Sequence, residues 1–72
     1  IMTASNKHTV KINGHITSVF LESEFWAELK QISKVKEIST DQLISQIDQK
    51  KQGSNLSSAI RLYVLNHIRN LR

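Results

Sequence analysis

The chain has 72 residues, no cysteine, no proline and a formal charge of +4 at neutral pH. That length builds one small domain, marginal on its own core, and the lack of cysteine excludes both a disulfide framework and a thiolate metal site. Oligomerisation is the remaining route to stability, so a homodimer is expected. No apolar run approaches the ~18 residues of a membrane span and no signal-peptide pattern occurs, so the expectation is a soluble, cytoplasmic protein without membrane contact.

The charge is unevenly spread. Residues 1–21 hold Lys7 and Lys11 and residues 53–72 hold Arg61, Arg69 and Arg72, both without an acid, while all six acids lie between them. A dimer would double the net charge and favour a polyanionic partner. A solvated basic surface is the bland alternative.

Residues 1–7 read as a disordered or tag-derived terminus, with Ile1 ahead of Met2, and residues 8–72 as a single domain. His8-Thr9-Val10-Lys11-Ile12 alternates, then Asn13-Gly14 precedes a second alternating run from His15 to Leu21. Asn-Gly between two such runs predicts a hairpin with a two-residue turn. Ile12 then faces His15, Val10 faces Thr17 and His8 faces Val19. One face collects Val10, Ile12, Val19 and Leu21; the other collects Lys7, Thr9, Lys11, Ile16, Ser18 and Phe20.

The strand runs without a loop into a first helix, capped by Ser23, with Phe25, Leu29, Ile32 and Val35 as its buried stripe and Trp26 at the margin. Lys36-Glu37-Ile38 is the turn out, at a place where glycine would be the easy residue. A second helix opens at Ser39 with Gln42 three residues on, a capping-box pattern. Leu43, Ile44 and Ile47 form its stripe, and Gly53 stops it. A third helix opens at Ser54 or Asn55 and runs to about Asn70. Leu56, Ala59, Ile60, Tyr63, Val64, Ile68 and Leu71 cover one broad face, widened by Leu62 and Leu65, so this helix is expected to touch both subunits of a dimer.

A strand, two short helices and an apolar seam over Ile16 to about Ile47 resemble the ribbon-helix-helix superfamily, the Arc/MetJ-like fold. A bacterial subgroup with an added C-terminal helix is closer still, through Gly14-His15, Thr17-Ser18-Val19, Leu21-Glu22, Phe25-Trp26, Leu29-Lys30 and Asn55-Leu56-Ser57-Ser58-Ala59. The implied fold is α+β, an intertwined homodimer in which two strands pair antiparallel and the ribbon enters the major groove of double-stranded DNA. Carried over by position, Ile16, Ser18 and Phe20 would face the bases. Lys7, Lys11 and the backbone at Ser39 and Thr40 would contact phosphates. Val19, Leu21, Phe25, Trp26, Leu29, Ile32, Leu43, Ile44, Ile47, Ile60 and Val64 would form the dimer core.

The chain departs from the family in that Ile16 and Phe20 offer only apolar contact where hydrogen-bonding side chains are usual. A flanking strand on each ribbon strand would also give four strands, about 4.8 Å apart, against a groove about 12 Å wide. The outer strands would then tilt away or lie against phosphates, with Asp41 a modest penalty at the helix-two site. The contest is between a DNA-binding dimer acting as a transcriptional regulator or antitoxin-type repressor and a dimer that keeps the fold as a protein-interaction module. An enzyme is not expected. His8, His15 and His67 group with no acid or nucleophile, a His8–His15 pair lacks a third metal ligand, and no cofactor is implied.

Overall fold

The turn at Asn13-Gly14 sets the register of the N-terminal half. Both residues have positive φ, 51° and 82°, as in a type I′ turn, whose twist matches that of the strands it joins. The computed structural model describes residues 5–53 and 55–71. In it β1 (Ser5–Ile12) and β2 (His15–Glu22) are followed by α1 (Ser23–Val35), α2 (Thr40–Lys50) and α3 (Leu56–Arg69). The fold is thus α+β, a two-stranded antiparallel sheet and three helices. Ile12 lies opposite His15, Val10 opposite Thr17 and His8 opposite Val19, the register that the turn dictates.

β1 begins earlier than the alternating pattern indicated. Residues 5–7 of the segment expected to be disordered or tag-derived are paired strand, opposite Phe20 to Glu22; residues 1–4 lie outside the described residues. Ser-Asn-Lys carries no apolar alternation, so its strand character comes from cross-strand pairing. Asn6 adds a side-chain tie, its amide donating to Ser23 Oγ at 2.7 Å.

The inner face of the hairpin supplies Val10, Ile12, Val19 and Leu21 to a buried cluster completed by the helices. α1 gives Leu29 and Ile32, α2 gives Leu43, Ile44 and Ile47, and α3 gives Ile60 and Val64, with Phe25 and Trp26 packed partly buried against them. All of these belong to one chain. Of the eleven side chains expected in a dimer core, nine are buried within one chain, while Phe25 and Trp26 stay partly exposed.

Several local expectations are corrected. The N-cap of α1 is Glu22, with no side-chain cap bond, and Ser23 is already helical. Val35 is 68% exposed and Ser33 is buried instead. At 3.6 residues per turn Val35 sits about 120° around the helix from Leu29, whereas Ser33 sits only about 40° from it. The Ser33 hydroxyl is satisfied by donating to the Lys30 carbonyl and lies 3.2 Å from the Thr40 hydroxyl.

α1 ends in a Schellman motif: Ile38 N–H donates to Ser33 O and Glu37 N–H to Lys34 O. Its left-handed position is filled by Glu37 at φ 60°, where a side chain is strained. α2 has the full capping box, Ser39 with Gln42. It ends at Lys50, where Lys51 turns extended, before Gly53 is reached.

Asn55 caps α3 by accepting from Ser58 N–H at 2.8 Å. Two contacts then fasten α3 to β2. The Ser57 hydroxyl donates to the Phe20 carbonyl at 2.7 Å, and Arg61 grips the Glu22 carboxylate with two nitrogens at 2.8 and 3.2 Å. Of the broad apolar face expected of this helix, Ile60 and Val64 are buried and Leu56, Ala59 and Tyr63 pack against the core, while Leu62, Leu65, Ile68 and Leu71 are exposed in the single chain.

Candidate nucleic-acid interface

The period of two that buries one face of the hairpin leaves the other open. Its cross-strand pairs are Lys7 with Phe20, Thr9 with Ser18 and Lys11 with Ile16. All six side chains are exposed, Ile16 at 69% and Phe20 at 55%. The centre of this face is thus two hydroxyls, flanked on the β1 side by ammonium groups and on the β2 side by apolar groups. Thr9 is the member that position-by-position transfer from the family omits. It belongs here because it lies opposite Ser18.

Glu22 shares the parity of Ile16, Ser18 and Phe20, and a carboxylate on this face would repel phosphates. Arg61 neutralises it through the two-nitrogen contact from α3. Sequence spacing offers no signal for that pairing, since 39 residues separate the partners. Both side chains are about a third exposed, so the pair adds well under 1 kcal/mol to stability; its effect is on the local charge.

The register also decides which backbone groups are open. A two-residue turn makes Ile12–His15 a hydrogen-bonded pair, so every second pair alternates outward, and Ile16, Ser18 and Phe20 direct their N–H and C=O away from β1. The Phe20 carbonyl is taken by Ser57. The Ile16 and Ser18 groups form the exposed edge of β2, a template for another strand.

At the start of α2 the capping box alters the expected phosphate site. The Ser39 N–H already donates to Gln42 Oε1 at 2.9 Å, and Gln42 N–H to Ser39 Oγ at 3.0 Å. Of the first-turn amides this leaves those of Thr40 and Asp41 for an external acceptor.

The histidines take separate places. His8 stacks on Trp26, ring centroids 4.0 Å apart and planes within 10°, with its Nε2 buried and lacking a hydrogen-bond partner. His15 lies at the turn, four residues along the sheet and so about 13 Å away, too far for a shared metal. Among the described residues no group of three or more His, Cys, Asp or Glu is placed to hold a metal ion. No helix among them is long and apolar enough to cross a membrane.

No curated protein and no solved structure matches the chain. A family model for the ribbon-helix-helix domain does, over residues 5–68, from the first described residue of β1 almost to the end of α3. With most of its length matched, and with the hairpin and helices that the match implies, the chain belongs to the ribbon-helix-helix domain family.

Proposed function

We propose that this protein is a non-enzymatic, cytoplasmic DNA-binding homodimer that acts as a transcriptional regulator, with the outer face of its ribbon against the duplex. The observation that carries the reading is that face itself: Lys7 and Lys11 flank the exposed Thr9 and Ser18 hydroxyls, and its one acid, Glu22, is held by Arg61. Hydroxyls donate or accept at base edges, lysines neutralise phosphates, and apolar groups contact thymine methyls. The open edge at Ile16 and Ser18 supports pairing of the two β2 strands. That pairing would put β2 at the centre of the groove and β1 with its lysines along the phosphates. The Thr40 and Asp41 amides at the start of α2 add a pair of donors for a phosphate oxygen, weakened by the Asp41 carboxylate.

The exposure of Ile16 and Phe20 favours a second reading, in which the same face binds a protein. Binding to random duplex DNA as a function of salt separates the two. The DNA reading requires affinity at low salt that falls with salt, losing about 0.9 in log–log slope per phosphate neutralised. No affinity for any duplex at low salt would assign the face to a protein partner. Sedimentation at micromolar concentration tests the dimer, and a folded, stable monomer would overturn it.

A further inference from the structure

On surface that no strand residue lines, α2 and α3 leave an open groove of about 580 Å³ between the last turns of α2 and the flank of α3. Its apolar lining is Ile47 from α2, with Ala59, Leu62 and Tyr63 from α3. Leu62 is 58% exposed, a large apolar group that the fold itself does not use. Lys36, Lys50 and Lys51 stand around the groove, drawn from the end of α1 and the end of α2, and its other lining groups are side-chain amides. No carboxylate lines it. Asp48 nearby forms an ion pair with Lys51 at 3.5 Å, while Lys36 and Lys50 have no ion-pair partner among the described residues.

Two features select the occupant. A bare anion would gain nothing from the apolar lining. An uncharged apolar ligand would leave the lysines unmatched. What fits both is an apolar stripe flanked by acids. The groove between two packed helices also has the shape that accepts a third, read through anchors at i, i+3 or i+4, and Ala59 leaves room for a close backbone approach. We propose that this groove is a docking site for an acidic amphipathic helix of a partner protein. Because it lies apart from the ribbon, a partner seated there leaves the strand face open, and the proposal does not depend on DNA binding.

The test is a titration of isotopically labelled protein, followed by backbone amide NMR. The probes are a synthetic helical peptide with leucines at i, i+3 and i+4 positions and glutamates elsewhere, and its counterpart with lysine for each glutamate. The expected result is saturable shifts at Gln46, Lys50, Leu62 and Tyr63 with the acidic peptide and none with the basic one. Leu62→Glu is expected to weaken that binding about tenfold or more, as befits a residue central to an interface, and Lys50→Glu to weaken it with an otherwise unchanged spectrum. Lys50 is exposed, so the second variant stands if the first fails to fold. Absence of shifts, an equal response to both peptides, or shifts confined to the outer face of the ribbon would overturn the proposal. So would concentration-dependent shifts of the groove residues without peptide that Leu62→Glu abolishes, since the occupant would then be a second copy of this chain.

Discussion

The two faces of the hairpin are made by the same strands with the same alternation, yet they end in opposite conditions. Val10, Ile12, Val19 and Leu21 are buried under three helices, whereas Ile16 and Phe20, of like size, stand exposed between lysines and hydroxyls. The inner face is accounted for within the chain, because every residue on it that could pack does. The outer face is not, and large apolar side chains left open beside a free strand edge point to something outside the chain. Alternation tells which face a residue occupies; only the helices decide which face is covered.

The largest expected effect breaks the inner face. Leu21→Ala should cost about 2–5 kcal/mol, the loss of a fully buried side chain plus the cavity it leaves, while Phe20→Ala on the outer face should stay within about 0.5 kcal/mol. Chemical unfolding of both variants checks the contrast, and a comparable loss for Phe20→Ala would mean that the outer face is also covered. In a dimer the melting temperature of either variant should depend on protein concentration.

Gly14→Val strikes both faces at once by disturbing the turn that registers them. A Cβ at Gly14 meets nothing within 4 Å, but φ is +82°, so the penalty is conformational and about 1–3 kcal/mol. Gly14→Asn should cost clearly less, since asparagine tolerates this region; equal losses would point to a steric cause instead.

The outer face is sharpened by substitutions that leave stability alone. Ser18→Ala and Thr9→Ala should each change preference between duplex sequences by roughly 1–3 kcal/mol where the hydroxyl reads a base pair. Lys11→Ala should weaken binding to all sequences alike and flatten the salt slope by about two per dimer. Competition binding at several salt concentrations separates the behaviours, and a uniform loss for Ser18→Ala would demote it to a backbone contact.

The smallest effect lies away from both faces. Glu37→Gly should stabilise by about 1 kcal/mol, because it removes a side chain from a left-handed position. A lower melting temperature would show that the Glu37 side chain compensates for its own strain.

Much of this molecule is local and was therefore readable. Asn13-Gly14 dictates the register and hence both faces, Ser39 with Gln42 forms the capping box, and Asn55 starts the third helix, each through groups within a few residues of one another. All six exposed outer residues follow from the same period: Lys7, Thr9, Lys11, Ile16, Ser18 and Phe20 lie where alternation puts them. Short-range pattern could not say that residues 5–7 extend the strand, or that Ser33 rather than Val35 turns inward. Those outcomes depend on which neighbour a helix or strand meets. The clasp of Ser57 and Arg61 on Phe20 and Glu22 joins residues 37 and 39 positions apart, and it neutralises an acid that the sequence leaves on the candidate interface. The α2–α3 groove likewise exists only because two helices with separate apolar stripes pack side by side, leaving Leu62 uncovered between lysines. Periodicity specifies what each element has to bury, and the tertiary packing alone decides how much of it a single chain can cover.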